Sequence, residues 1–301
     1  MNASTQSQPC SIGTLVSEIS QAFEKSDLFY GHGTDNAWDE AVFLVLTVMD
    51  LPPDSDESVA ERIIPPVAIE KIRALAEQRI NTKIPMPYLL NRAYFVGLSF
   101  YVDERVLIPR SSFGELILNE FSPWIADKTP KNILEIGTGS GCMAIATALV
   151  FEHAHITATD ISDDALIVAR KNIEAYGLED RITLIKSDLF AQIHLPLSTE
   201  EKFDLIMSNP PYVDQEDMDN LPGEYLHEPK LALESGKDGL FHTREILKHA
   251  KNYLSPEGML FVEVGNSYEA LEEAFPKTPF TWISFENGEC EIFALDYKNI
   301  P

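Results

Sequence analysis

The most constraining feature of this sequence is an alternation of strand-like and helix-like segments that begins near Leu116. Short apolar runs predict buried strands, and longer segments between them, such as 164–176 and 240–253, carry apolar residues at helical spacing. Such alternation predicts a parallel sheet with helices on both faces and ligands at the carboxyl ends of its strands. The predicted strands are 132–136, 155–159, 182–186, 204–208 and 259–264, followed by a final pair at 281–285 and 291–295.

The residues before this alternation follow a different pattern. Apolar residues recur at helical spacing over 12–29, 41–49 and 69–80, which predicts a small helical domain at 1–90. Because it has no glycine-rich loop and no cluster of reactive side chains, we assign this domain to substrate recognition. Aromatic and β-branched residues over 94–108 predict a strand pair, so 91–115 is expected to form a β-hairpin linker and 116–301 the catalytic domain.

A glycine-rich turn follows the first predicted strand of the catalytic domain. It reads Gly-Thr-Gly-Ser-Gly over 137–141 and leads into a helix, and its glycines permit positive φ and close approach of a ligand. A dinucleotide site would require glycine at position 142, where this chain has Cys142, and a P-loop would require Gly-Lys-Ser/Thr. Glu135, just before the turn, suits a cationic ligand better than a pyrophosphate.

Two further acidic residues end the neighbouring strands. Asp160 ends the second predicted strand, where a carboxylate can bind the two hydroxyls of a ribose. Asp188 ends the third, in Ser-Asp-Leu-Phe over 187–190, where it can accept a hydrogen bond from an adenine amine. A glycine turn alone is often only structural, but acidic strand ends in register with it predict a ligand site.

The sequence Asn209-Pro210-Pro211-Tyr212 follows the fourth predicted strand and is called the acceptor turn below. Asn and Pro also occur in plain turns, but two prolines make this segment rigid. The Asn209 side-chain oxygen and the Pro210 carbonyl can both accept hydrogen bonds from one planar NH₂ group, and Tyr212 can stack on its flat face. This arrangement predicts methyl transfer to a planar nitrogen by positioning and electrostatics, without a strong base.

Charge and cysteine content narrow the function classes. The chain has 23 basic and 48 acidic residues, a net charge of −25, which disfavours nucleic-acid binding and suits a basic partner protein. Three scattered cysteines predict neither a disulfide framework nor a metal site. Because no segment has the 18 or more apolar residues of a membrane span and the N-terminus does not resemble a signal peptide, we expect a cytoplasmic protein without membrane spans. An acidic run after Tyr212 is expected to attract the partner, although it is also consistent with a solvated loop; it comprises Asp214, Glu216, Asp217, Asp219, Glu224 and Glu228.

Together, the glycine turn, Asp160 and the acceptor turn resemble the class I S-adenosylmethionine-dependent methyltransferases, and among them the protein-glutamine methyltransferases. The resemblance covers most of the chain from about residue 88 onward and is strongest to the branch that methylates a glutamine of large-subunit ribosomal protein three. Segments that carry this narrower resemblance are 100–111, 187–190, 209–218, 227–229, 235–240 and 280–282.

This resemblance implies a Rossmann-like seven-stranded α/β sheet with a small helical N-terminal domain. It implies S-adenosylmethionine as cofactor and a glutamine side-chain amide of a basic large-subunit ribosomal protein as methyl acceptor. The candidate cofactor residues are Glu135, Gly137, Thr138, Gly139, Gly141, Asp160, Asp188, Leu189 and Asn209. The candidate substrate residues are Asn209, Pro210, Pro211 and Tyr212, of which Asn209, Pro210 and Tyr212 are assigned to catalysis.

Three alternatives stay open at this point. A peptide-chain release factor glutamine methyltransferase shares the acceptor turn, although it is expected to have Phe-Glu-Pro where this chain has His-Glu-Pro at 227–229. A DNA adenine methyltransferase uses the same turn on an exocyclic amine, but it normally needs a basic DNA-binding face. A binding protein that kept the fold without activity is the third. Arg110 belongs either to the cofactor pocket or, as we favour, to an ion pair with an acidic neighbour.

Overall fold

The computed structural model describes residues 9–125, 129–194, 198, 201–285 and 291–301. The chain divides into two compact units, which we call the helical unit and the sheet unit. Met1–Asn91 and Pro222–His227 form the helical unit, and Arg92–Leu221 and Glu228–Pro301 form the sheet unit. Within the described ranges, no helix is both long enough and apolar enough to cross a membrane.

In the helical unit, four helices pack around one apolar core. Capping defines where two of them begin, because the side chains of Ser11 and Asn36 accept hydrogen bonds from backbone N–H groups in the first turns of α1 and α2. Pro66 occupies the first turn of α3, where its missing N–H costs no hydrogen bond. The helices are α1 (Ile12–Glu24), α2 (Ala37–Val48), α3 (Pro66–Thr82) and α4 (Met86–Leu90).

The sheet unit begins with a short hairpin. Strands β1 (Ala93–Phe95) and β2 (Leu98–Phe100) pair antiparallel, so the predicted strand pair of 94–108 was too long. The hairpin ends at Phe100 because the backbone of Tyr101 forms hydrogen bonds with a side chain and not with another strand. Its N–H donates to Asn172 Oδ1 at 2.8 Å, and Asn172 Nδ2 donates to its carbonyl at 3.0 Å.

The remaining elements of the sheet unit alternate as the sequence predicts. Its helices are α5 (Phe113–Leu118), α6 (Cys142–Val150), α7 (Asp163–Tyr176), α8 (Gln215–Asn220), α9 (Phe241–Tyr253) and α10 (Tyr268–Ala274). Its strands are β3 (Asn132–Ile136), β4 (His155–Asp160), β5 (Ile182–Lys186), β6 (Phe203–Ser208), β7 (Leu254–Glu263), β8 (Thr281–Ile283) and β9 (Ile292–Asp296).

Strands β3 to β9 form one seven-stranded sheet in the order β5-β4-β3-β6-β7-β9-β8. The pairs from β5 to β7 are parallel, whereas β9 runs antiparallel to both β7 and β8. Successive residues of β3 enter different cores, Ile133 beside α5 and α6 and Leu134 beside α9, as expected for strands covered on both faces. The predicted Rossmann-like α/β fold is therefore confirmed, and the strand order reverses at β3, where such folds bind ligands.

Candidate active site

A cavity of about 860 Å³ lies at the carboxyl ends of the central strands, a size typical of small-ligand sites. Many of the residues singled out from the sequence line it together: Gly137, Gly139, Asp160, Asp188, Leu189, Asn209, Pro210 and Pro211. They lie at the end of β4 (Asp160) and in the loops that follow β3, β5 and β6. The sheet topology therefore gathers into one site residues that are up to 74 positions apart in sequence (Gly137 to Pro211).

The glycine turn has a backbone that favours glycine. Gly137, Gly139 and Gly141 have φ values of +77°, +54° and +81°. The N–H groups of Gly137 and Thr138 both donate to the carbonyl of Thr159 at 2.8 Å, which holds the turn against the end of β4. A side chain at Gly141 would also bring its Cβ within 3.3 Å of the Ala169 Cβ on α7. The turn is thus fixed from two sides, with its backbone exposed toward the cavity at Gly137 and Gly139.

Asp160 connects the glycine turn to the start of α7. Its Oδ2 accepts from the Gly139 N–H and its Oδ1 from the Ser162 N–H, both at 2.9 Å. Burial raises the pKa of this carboxyl, while the backbone N–H groups of Ser162, Gly139 and Ile161 act in the opposite direction. A carboxylate offers about four acceptor positions, so three backbone donors leave capacity for a ligand hydroxyl.

Glu135, Thr138 and Gly141 do not line this cavity, unlike the other candidate cofactor residues. Glu135 is buried below the turn, and the hydroxyl of Thr138 donates to its Oε2 at 2.8 Å. Burial raises the pKa of Glu135 to about 8, with the nearby Asp160 acting in the same direction. In this structure Glu135 and Thr138 therefore brace the turn from within, and Gly141 begins α6.

Hydrogen bonds hold the acceptor turn on both sides. The Ser208 hydroxyl, at the end of β6, donates to the Ile136 carbonyl at 2.8 Å and so ties the turn to β3. Beyond the turn, the Val213 N–H donates to the Leu233 carbonyl and its carbonyl accepts from the Ser235 N–H, each at 2.9 Å. Asn209, Pro210 and Pro211 face the large cavity, whereas Tyr212 lines a second one of about 650 Å³.

Several residues that line the cavity were not singled out from the sequence, and among them His242 on α9 is a titratable group that contacts the acceptor turn. It lines the large cavity, and its imidazole hydrogen-bonds the Pro211 carbonyl. A carbonyl can only accept, so the imidazole donates to Pro211. In the neutral ring that donates from Nε2, Nδ1 is an acceptor for the Ser235 hydroxyl, which lies 3.0 Å away. Burial lowers its pKa, which favours this neutral form. A lone histidine on a helix carries no sequence signal for such a contact.

Two members of the acidic run are buried, contrary to the expectation of an exposed charge at each of them. Glu228 accepts both terminal nitrogens of Arg110, at 2.6 and 2.8 Å, and also the Ile108 N–H at 3.0 Å. Arg110 therefore pairs with an acidic neighbour, as favoured from the sequence. In the helical unit, Glu224 accepts from Arg79 at 3.0 Å and from the Phe29 N–H at 2.9 Å.

Comparisons with known proteins show the family to which this chain belongs. The model of the methyltransferase small domain matches residues 115–239. A ribosomal protein uL3 glutamine methyltransferase of Francisella tularensis is 47% identical over 276 residues, which cover 91% of this chain and 86% of that protein. A protein of the same name from Neisseria gonorrhoeae is 47% identical over 279 residues, covering 92% of this chain and 91% of that protein.

Among solved structures, the catalytic domain of hMettl16 in complex with an RNA hairpin is similar with a TM-score of 0.50. It is 18% identical and covers 79% of this chain and 85% of that structure. At this identity the similarity concerns the fold alone.

Proposed function

Because this chain belongs to the family of ribosomal protein uL3 glutamine methyltransferases, we propose that it methylates the side-chain amide nitrogen of a glutamine in uL3, a large-subunit ribosomal protein. The observation that carries the proposal is the junction of two motifs at one cavity. The glycine turn and Asp160 form one wall, and Asn209 and Pro210 form another. A methyl donor and a planar amide thus find their binding groups within a single site.

The residues present fit S-adenosylmethionine as the methyl donor. Asp160 keeps acceptor capacity for a ribose hydroxyl beside the exposed backbone of Gly137 and Gly139, and Asp188 and Leu189 line the same cavity, where we assign the adenine. When bound, this donor supplies an electrophilic methyl group on a sulfonium. Glu135, Thr138 and Gly141 contribute by fixing the turn, so we assign them a supporting part in cofactor binding.

The acceptor turn orients the glutamine amide. Asn209 Oδ1 and the Pro210 carbonyl accept the two amide hydrogens, which leaves the nitrogen facing the methyl donor. Although Tyr212 lines the second cavity, it follows Pro211 directly in the turn, and we assign its ring to packing on the amide plane. Pro211 makes the turn rigid, and His242 holds its carbonyl. Methyl transfer would form the N–C bond and break the S–C bond, with the donor sulfur leaving as a neutral thioether. The methylated amide nitrogen would then be strongly acidic and would release one proton to solvent, so the site needs no strong base. Its contribution is positioning and electrostatic stabilisation.

We further assign roles to the parts of the chain outside the cavity. The helical region 1–90 recognises the protein substrate, 91–115 links it to the catalytic domain 116–301, and the enzyme acts in the cytoplasm without specific DNA binding. The net charge of −25 supports a basic protein partner over a nucleic acid. The exposed part of the acidic run, which is half-buried at Asp214 and exposed at Glu216, Asp217 and Asp219, offers charge next to the acceptor turn.

A labelling experiment tests the proposed function. The purified protein is incubated with S-adenosylmethionine carrying a labelled methyl group and with ribosomes from a strain that lacks this gene, and the labelled peptide is identified by mass spectrometry. Purified release factors form a parallel arm, and Asn209→Ala serves as the inactive control. We expect label on a glutamine of uL3. Label on a release factor alone, or on no glutamine of uL3, would contradict the proposal.

A second experiment tests the part assigned to the acidic run. We replace its four accessible members by isosteric amides (Asp214→Asn, Glu216→Gln, Asp217→Asn and Asp219→Asn), which keeps an Asn cap on α8. We expect slower association with intact uL3 at low salt and a smaller salt dependence, because exposed charges are screened beyond about 10 Å at 0.1 M salt. The matched control neutralises four exposed acids on α7 and the following loop, namely Asp164, Glu174, Glu179 and Asp180. Equal salt slopes for parent and variant would show that the run does not steer the substrate.

A further inference from the structure

We propose that Glu263 is a positioning residue for methyl transfer: through the hydroxyl of Tyr212 it sets the plane of the aromatic ring that packs on the acceptor amide. This inference rests on the proposed function and adds to it a residue that does not contact the acceptor amide but orients Tyr212. Glu263 is the last residue of β7 and is 2% exposed, so its carboxyl group has no bulk water as an alternative partner.

Tyr212 is held at three points, of which two are on its side chain and one is on its backbone. Its hydroxyl donates to Glu263 Oε1 at 3.3 Å, and its carbonyl accepts from the Ser267 hydroxyl at 3.1 Å. The ring itself lies against Gly265, where a Cβ would come within 2.5 Å of the ring atom Cε2. Gly265 also has a φ of +49°, so both its backbone and the space above it favour glycine. The end of β7 thus supplies a floor for the ring and an anchor for its hydroxyl.

Glu263 is itself fixed by Ser111. The Ser111 hydroxyl oxygen accepts from the Phe113 N–H at 3.1 Å, so its hydrogen is available to Glu263 Oε2, which lies 2.5 Å away. Both carboxylate oxygens therefore receive a hydroxyl hydrogen, one from Ser111 and one from Tyr212. An ionised carboxylate accepts both, whereas a protonated carboxyl or an amide presents a donor on one side and disrupts one of the two contacts.

Some features of the surroundings of Glu263 raise the pKa of its carboxyl group and others lower it. Burial raises its pKa to about 7, and the neighbouring Glu291 acts in the same direction, while the hydroxyls of Ser111 and Tyr212 and the charge of Arg110 lower it. Part of the Arg110 charge is compensated by its ion pair with Glu228. The carboxyl group is thus ionised above about pH 7, the form that accepts from both hydroxyls.

The test is a double-mutant cycle with Glu263→Gln and Tyr212→Phe, using intact uL3 as acceptor. We expect each single variant to lower kcat by about tenfold, the lower end of the range for one lost hydrogen bond to a charged group, while the affinity for S-adenosylmethionine changes by less than about twofold. If Glu263 acts through the Tyr212 hydroxyl, Glu263→Gln causes little further loss in the Tyr212→Phe background. An equal loss in both backgrounds, or a Glu263→Gln variant with parental kcat, would overturn the proposal.

A pH profile separates positioning from a general loss of structure. For the parent, kcat should fall as pH decreases through about 7, because protonation of Glu263 removes one acceptor. Glu263→Gln should lack this acidic limb. Ser111→Ala, which keeps the carboxylate but removes its fixed partner, should lower kcat and shift the limb to higher pH. This variant carries the test if Glu263→Gln fails to fold, and an unshifted limb with parental kcat would then refute the inference.

Matched control variants and a measurement without substrate distinguish a failure of the positioning role of Glu263 from a failure of the proposed function. Glu272→Gln and Tyr176→Phe make the same chemical changes at a hydrogen-bonded carboxylate and a hydrogen-bonded tyrosine elsewhere in the sheet unit, and both should retain parental kcat within about twofold. Ring flipping of Tyr212, measured by NMR without substrate, should accelerate in Glu263→Gln. Failure of the parent to methylate uL3 would refute the proposed function, whereas unchanged ring flipping in Glu263→Gln would refute the positioning role.

Discussion

Substitution of Asp160 tests the cofactor site most directly. Two backbone N–H groups, of Gly139 and Ser162, donate to its two oxygens at 2.9 Å, and that of Ile161 also bonds the carboxylate. In Asp160→Ala, the glycine turn loses this brace and the ligand loses a charged acceptor for its hydroxyls. A hydrogen bond to a charged group contributes about 1.5 to 3 kcal/mol, so the Kd for S-adenosylmethionine should rise by about 10- to 150-fold.

Asp160→Asn refines the same test. The amide keeps one acceptor oxygen but turns its NH₂ group toward Gly139 or Ser162, so one backbone donor loses its partner. We expect a Kd between those of the parent and Asp160→Ala, measured by calorimetry with S-adenosylmethionine. Asp180→Ala, at an exposed carboxylate in the loop after α7, is the control and should bind as the parent does. A parental Kd for Asp160→Ala, with an unchanged circular dichroism spectrum, would remove Asp160 from the cofactor site.

Two further substitutions separate chemistry from stability. Asn209→Ala should lower kcat by about 10²-fold or more, as loss of one transition-state hydrogen bond does, with little change in cofactor Kd; near-parental turnover in a single-turnover assay would contradict the amide-positioning mechanism. Arg79→Met should destabilise the helical unit by about 3 to 5 kcal/mol in urea unfolding, because it leaves Glu40 and Glu224 buried without their cation. Arg73→Met removes a half-exposed ion pair and should cost less than about 1 kcal/mol; equal losses for the two variants would refute this account.

The fold was largely predictable because its central strands are apolar and bounded by turn residues. The predicted 132–136 and 182–186 match β3 and β5, and most other predicted boundaries differ from the structure by a few residues. The hairpin was predicted too long because the partner of Tyr101 is the side chain of Asn172, 71 residues away. Local propensity describes a strand-like segment correctly, but only the tertiary partner determines where pairing stops.

The site was predictable where its chemistry is local. The glycine turn and the acceptor turn each occupy a few consecutive residues, and parallel topology implies that they meet at one edge of the sheet. Contacts between distant residues left no such pattern. Ser111, Tyr212 and Glu263 are separated by 101 and 51 positions, and His242 reaches Pro211 from a helix with no motif of its own. Sequence patterns thus indicated eight of the residues that line the cavity, and the structure was needed to find the long-range contacts that support them.

The acidic run shows why charge counts overstate the attraction between this chain and a basic partner. Six acidic residues between Asp214 and Glu228 appear equivalent in sequence. Glu224 and Glu228, however, are 1% and 5% exposed and each is paired with an arginine, so their fields are largely cancelled within the protein. The four acids that remain accessible lie at the start of α8 and just before its end. Because screening confines exposed charges to about 10 Å, these four are the members of the run whose charge can steer a basic partner toward the acceptor turn. Neutralising Glu224 or Glu228 should therefore lower stability and disturb the local loop geometry. Neutralising the four accessible acids should instead lower the rate of association with the basic partner.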